Sequence, residues 1–129
     1  MDAHSALTAA LQSDDRIRLA VIFGSAARGS SSPRSDVDVA VLGLPVGDLP
    51  NTAVQLARAA GREVDLVDLT SAPPLLRMEI ARDGVLLFAR PSHLWADFKG
   101  QALSDWWDWA PLARRFGAAA MARLGVGAR

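Results

Sequence analysis

Short apolar runs alternate with amphipathic stretches along residues 1–90. Four runs rich in Val, Ile and Leu, bounded mostly by glycine or polar residues, predict β-strands at 18–23, 36–42, 63–69 and 85–89. Apolar positions at helical spacing around these runs predict three helices, at 6–11, 52–60 and 75–82. Helices that alternate with three or four strands predict an α/β or α+β domain.

Start and stop signals define the ends of two of these helices. Asn51 is the expected N-cap of the second helix, and Gly61 is its expected stop. Pro73 and Pro74 suit the start of the third helix, because the first helical turn needs no N–H at those positions, and Gly84 is expected to end it.

The chain from residue 91 onward has a helical pattern of its own. Apolar and aromatic side chains recur there at spacings of three and four, and Pro111 is expected to kink or break the helix. We therefore expect a single domain with a core at 1–90 and a C-terminal helical segment at 91–129, packed on the core or on a partner. Four tryptophans at 95–109 exceed the needs of one small core face, so at least one is expected to face a partner.

Composition excludes several classes of function. The formal net charge is zero, from 14 basic and 14 acidic residues, which argues against direct nucleic-acid binding and against binding to an anionic membrane. The absence of cysteine excludes disulfides, a thiolate zinc site and a thiol nucleophile. The N-terminus lacks a signal-peptide pattern and no apolar run could span a bilayer, so we expect a cytoplasmic location.

The most informative motif is a Gly-Ser turn followed, after ten residues, by two aspartates two positions apart. Gly24 lets backbone N–H groups approach a phosphate closely, and Ser25 adds a hydroxyl donor. If the second strand begins at Asp36, then Asp36 and Asp38 point to the same face, where their charges repel. A divalent cation between them relieves the repulsion, and hard oxygen ligands favour Mg²⁺ or Mn²⁺. The pattern predicts metal-assisted transfer from a nucleoside triphosphate.

A third carboxylate is expected on the third strand, which alternates acidic and apolar residues. Alternation places Glu63 and Asp65 on one face and Asp68 on the other. One of them is expected to complete the metal site or to act as general base on an acceptor hydroxyl. Asp65 is our choice because it lies mid-strand between apolar neighbours, and Asp68 is the alternative.

These residues resemble a known family. The Gly24-Ser25 turn, the ten-residue spacer, the Asp36-x-Asp38 pair and the later strand aspartate resemble the polymerase-β-like nucleotidyltransferase superfamily. The run from Ala26 to Gly29, which includes Arg28, extends the match to minimal nucleotidyltransferases. Among these, the chain is similar to the MntA-type antitoxins of HEPN/MNT toxin–antitoxin modules.

The resemblance implies a small mixed sheet of three to four strands flanked by helices, with a helical C-terminal tail. It implies that Asp36, Asp38 and Asp65 hold Mg²⁺, and that Gly24, Ser25 and Arg28 contact the triphosphate of ATP. It further implies transfer of AMP to a tyrosine of a cognate HEPN toxin ribonuclease. That transfer would silence the toxin, and the two proteins would form a hetero-oligomer.

Two other functions are compatible with the same residues. The chemistry could act on a small molecule of the aminoglycoside type, although the chain leaves little length for a second domain that would bind such an acceptor. Alternatively, a catalytically silent antitoxin could neutralise its partner by binding alone. Retention of the Gly-Ser turn and of two mutually repelling aspartates argues against the silent form.

Overall fold

The computed structural model describes the backbone of residues 3–25, 27 and 36–123. Within these residues the chain forms four strands and four helices. The strands are β1 (Leu19–Phe23), β2 (Val37–Leu42), β3 (Val64–Asp68) and β4 (Val85–Ala89). The helices are α1 (Ala3–Gln12), α2 (Leu49–Ala60), α3 (Pro74–Asp83) and α4 (Leu94–Arg123).

The strands form one mixed sheet in the order β3-β2-β1-β4. β1 runs antiparallel to both of its neighbours, whereas β2 and β3 are parallel. A parallel pair needs a crossover connection, and α2 supplies it between β2 and β3. The small mixed sheet expected from the sequence is therefore confirmed.

Each face of the sheet carries its own apolar core. All five residues of the central strand β1 are buried, because helices cover both faces. The side chains of Ile22 and Val39 pack with Leu7 and Leu11 of α1 and with Leu56 of α2. On the opposite face, a second cluster joins β1 and β2 to α3 and α4; its members include Val21, Ala40, Ile80, Trp95 and Phe98.

The boundaries of α2 differ from those expected at one end. Asn51 is not the N-cap: α2 begins at Leu49, three residues before the expected start at 52, and Asp48 occupies the N-cap position. A short 3₁₀ turn at Val46–Asp48 leads directly into the helix, and Pro50 lies in the first turn, where its missing N–H costs nothing. The expected stop is confirmed, since Gly61 ends α2 in the left-handed conformation at φ 69°.

Of the two effects expected of Pro111, a kink or a break, the break is wrong, because α4 continues through this residue. Pro111 has no N–H to donate to the carbonyl of Trp107, one turn earlier. Both residues are exposed, so water can solvate that carbonyl in place of the helical hydrogen bond. Despite the 30-residue length of α4, none of the described helices is apolar enough to cross a membrane.

Two arginines tie the loop after α1 to other elements. Arg16 pairs with Asp14 at 2.8 Å and with Asp48, at the start of α2, at 2.7 Å. Hydrogen bonding to the Arg16 guanidinium holds the pKa of Asp14 below its ordinary value.

Arg90, just after β4, donates to the carbonyls of Ile17, Gln12 and Asp14 at 3.0, 3.2 and 2.8 Å. No local sequence pattern predicts the Arg16–Asp48 ion pair or the Arg90 hydrogen bonds.

Replacing Arg90 with alanine is expected to lower the free energy of unfolding by about 2 kcal/mol, since a charged donor to three carbonyls is lost. Arg90→Lys should recover only part of this, because an ammonium lacks the planar fork of the guanidinium. Urea denaturation of both variants tests the expectation. The exposed Arg58→Ala is the matched control, and equal stability of Arg90→Ala and Arg58→Ala would contradict it.

Candidate active site

Strand register brings two of the candidate carboxylates together at one end of the sheet. Asp38 of β2 is paired with Asp65 of β3 on one side and with Phe23 of β1 on the other. The N–H of Val37 donates to the carbonyl of Glu63 at 2.9 Å, which secures this register at the start of both parallel strands. Paired residues on neighbouring strands share a face, so the Asp38 and Asp65 side chains project side by side from backbones about 4.8 Å apart.

The Gly-Ser turn lies directly against Asp38. β1 ends at Phe23, and Gly24 follows with φ at +72°, a conformation that favours glycine. A Cβ atom placed on Gly24 would lie 2.6 Å from Oδ2 of Asp38, closer than any real contact. Ser25, the next residue, is half-buried. The turn and the carboxylate are therefore packed together, although thirteen residues separate Gly24 and Asp38 in sequence.

Asp36 lies at the margin of this arrangement. It precedes the first residue of β2 by one position, so the strand expected from 36 begins at Val37 instead, and its side chain is exposed. Within the part of the chain that the structure describes, no three acidic or histidine side chains are close enough to hold a metal ion. Arg28, the remaining candidate, lies outside the described residues.

The Asp68 carboxylate accepts hydrogen bonds in the turn after β3. Asp68 is the last residue of β3 and is paired with Val41, whereas Asp65 is paired with Asp38 near the opposite end of both strands. Its Oδ1 accepts the N–H of Thr70 at 3.2 Å and its Oδ2 accepts the hydroxyl of Ser71 at 3.1 Å. The three-residue separation from Asp65 corresponds to about 10 Å along the strand. Asp68 therefore stabilises the turn after β3, far from the Gly-Ser turn.

The chemistry of the donor set fits a hard divalent cation. Asp38 and Asp65 offer carboxylate oxygens on one face, and the paired strands hold the two residues side by side. The histidines lie elsewhere: His4 belongs to α1, and His93 contacts Asp97 at 2.8 Å. Carboxylates without imidazole or thiolate favour Mg²⁺ or Mn²⁺ over zinc.

The contact between Gly24 and Asp38 was missed by sequence reasoning, which assigned Gly24 only to phosphate binding. No local signal marks the contact, because it follows from the β1–β2 register. The positive φ is consistent with the choice of glycine at this position, but sequence alone does not reveal what fills the space beside it.

Comparisons with known proteins identify the family of this chain. Residues 5–93 match the family described as "Polymerase beta, Nucleotidyltransferase". The protein adenylyltransferase MntA of Shewanella oneidensis is 36% identical over 76 residues, which are 57% of this chain and 55% of MntA. The protein MJ0435 of Methanocaldococcus jannaschii is 35% identical over 72 residues, which are 54% of this chain and 77% of that protein.

The fold is shared with a solved structure as well. A chain in the crystal structure of a toxin–antitoxin with AMP-PNP superposes with a TM-score of 0.75 and 26% identity, over 87% of this chain and 93% of its own length. The sequence match to MntA, by contrast, spans only about half of MntA. Because the family match covers more than two thirds of the residues and includes the turn and all three candidate aspartates, the chain belongs to the polymerase beta nucleotidyltransferase family.

Proposed function

We propose that this protein is a metal-dependent adenylyltransferase that transfers AMP from ATP to a tyrosine hydroxyl of a cognate HEPN toxin ribonuclease, and so neutralises it. The observation that carries the proposal is the alignment of Gly24, Asp38 and Asp65 at one end of the sheet. The protein adenylyltransferase activity in the name of MntA, and the AMP-PNP and toxin–antitoxin pairing of the similar crystal structure, support it.

In this proposal Asp36, Asp38 and Asp65 hold Mg²⁺, with Mn²⁺ as a substitute. A cation bound there would neutralise phosphate charge and so favour displacement at phosphorus. Asp38 and Asp65 supply neighbouring oxygens because their strands are paired in register. Asp36 lies two residues before Asp38 and would supply the third carboxylate.

The turn residues would receive the triphosphate. Gly24 and Ser25 present backbone N–H groups and a hydroxyl beside Asp38, and Arg28 adds a positive charge. The acceptor oxygen attacks the α-phosphorus, a new O–P bond forms, and the bond to pyrophosphate breaks. Asp65 takes the hydroxyl proton, and pyrophosphate leaves with the electron pair of the broken bond.

The C-terminal segment at 91–129 would contact the acceptor protein. Three of its four tryptophans are half-buried, but Trp107 is 70% exposed. Leu103, one turn earlier on the same side of α4, is 44% exposed. An exposed tryptophan with an apolar neighbour is a typical anchor of a protein interface. We propose that the toxin docks against this part of α4, so that its tyrosine reaches Asp38 and Asp65.

Replacing Trp107 with serine is expected to weaken binding of the toxin by at least about tenfold, because truncation of an interface anchor removes apolar contact area. Val46→Ser is the matched control, since Val46 is 62% exposed but lies on the 3₁₀ turn before α2. Titration of the toxin by calorimetry measures both. Equal affinities of the two variants would exclude this docking surface.

The absence of tyrosine from this chain makes the main experiment unambiguous. The protein is incubated with labelled ATP, Mg²⁺ and the protein encoded beside it, and the label is located by peptide mass spectrometry. We expect one or more AMP groups on a partner tyrosine, and loss of the partner's ribonuclease activity. A partner that is silenced without label indicates action by binding alone. A parallel reaction replaces the partner with an aminoglycoside. Label on the aminoglycoside, with none on the partner, would show that the acceptor is a small molecule.

A further inference from the structure

We propose that Gly24 is a positioning residue for the Asp38 carboxylate, in addition to any contact with the triphosphate. The absent side chain of Gly24 leaves the space that Oδ2 of Asp38 occupies. The catalytic meaning of this contact rests on the proposed function, in which Asp38 binds the cation. The packing itself is a property of the folded chain and can be tested without any reaction.

The distances show that the carboxylate, not the backbone, is the group that a side chain at residue 24 would displace. From the Cβ position on Gly24, Asp38 presents Oδ2 at 2.6 Å, Cγ at 3.5 Å and Cβ at 3.7 Å. The last two values are ordinary van der Waals distances. Only the carboxylate oxygen is too close, so an alanine at this position forces that oxygen to move.

The backbone of Asp38 cannot easily retreat from such a side chain. β2 is a central strand, and Asp38 is paired with Phe23 on one side and with Asp65 on the other. Moving its Cα would disturb both ladders. Rotation of the Asp38 side chain is the less costly response, and it turns Oδ2 away from its place beside the turn. The pairing with Asp65 would then no longer bring the two sets of oxygens to one cation.

Backbone strain complicates a test with Gly24→Ala alone, because alanine is also disfavoured at a φ of +72°. Gly61 provides a matched control. Its φ is +69°, but a Cβ placed on it meets nothing within 4 Å. Gly61→Ala therefore carries the same kind of backbone strain without displacing any neighbour, and Gly61 has no assigned role in the site.

The first experiment is a double-mutant comparison of stability in the absence of metal. Gly24→Ala and Gly61→Ala are each placed in the wild type and in an Asp38→Ala background, and unfolding is followed by urea titration. We expect Gly24→Ala to raise the unfolding equilibrium constant about tenfold more in the wild type than in the Asp38→Ala background. Gly61→Ala should have the same effect in both backgrounds. An equal effect of Gly24→Ala in both backgrounds overturns the proposal.

The second experiment measures Mn²⁺ binding to the nucleotide-free protein by electron paramagnetic resonance. Gly24→Ala is expected to weaken Mn²⁺ binding by about tenfold or more, and Gly61→Ala to change it by less than about twofold. Unchanged affinity in Gly24→Ala overturns the positioning role. AMP transfer enters neither readout, so an absence of adenylyltransferase activity would sink the proposed function while the stability comparison still decides the role of Gly24.

Discussion

Replacing Asp38 with asparagine is expected to slow the proposed AMP transfer by about 10³-fold, because the carboxylate proposed to hold the cation becomes a neutral amide of the same shape. Asp38 is partly buried at the start of an interior strand of the sheet. It lies between Phe23 and Asp65 in the sheet and against Gly24 in the turn. Asp38 therefore lies against the Gly-Ser turn and opposite an acidic residue of the neighbouring strand.

The measurement is the initial rate of label transfer to the partner at saturating ATP and Mg²⁺, together with the thermal unfolding midpoint. Asp15→Asn is the matched control: Asp15 is exposed and precedes β1, away from the end where Gly24 lies. It should transfer AMP at the wild-type rate. If Asp38→Asn keeps more than about a tenth of the wild-type rate and unfolds normally, Asp38 is not a metal ligand in the reaction.

The second large effect is a difference between Asp65 and Asp68 in how replacement by asparagine changes the rate of AMP transfer. Asp65→Asn is expected to lower the rate of AMP transfer by about 10²-fold or more, since it is the strand partner of Asp38. Asp68→Asn should leave the rate near that of the wild type. Its cost should instead be about 1 kcal/mol of stability, because an amide keeps only one of the two oxygens that accept from Thr70 and Ser71.

The two variants change the same chemical group three residues apart on one strand, so each is the control for the other. Rates of label transfer and urea denaturation are measured on both. The expected outcome is a slow, stable Asp65→Asn and an active, less stable Asp68→Asn. The reverse pattern would assign the third carboxylate to Asp68 and would require a site at the other end of β3.

Much of the fold could be predicted because its signals are local. Apolar runs identified all four strands. Helical spacing identified α2 and α3 to within a few residues, with Gly61 marking the end of α2 and Pro74 the start of α3. The errors arose where context outweighed propensity. Asn51 is a good capping residue, but the 3₁₀ turn had already aligned the chain for a helix at Leu49. Pro111 disfavours a helix, yet solvent can compensate its missing hydrogen bond.

The candidate site was only partly predictable for a related reason. Alternation along a strand says which residues share a face, and it predicts opposite faces for Asp65 and Asp68. It does not say which residue of a neighbouring strand lies beside them. That depends on register, which is chosen when β2 pairs with β1 and β3 and both apolar faces of the sheet are buried.

The order of residues alone therefore determined which groups make up the candidate site: a glycine-serine turn, two closely spaced aspartates and an acidic strand, on a chain of alternating helices and strands. The tertiary structure decided which of these groups meet. It set Asp65 rather than Asp68 beside Asp38, and it placed Oδ2 of Asp38 where a side chain on Gly24 would be. Such contacts join residues distant in the chain, and only the packing of whole strands determines them.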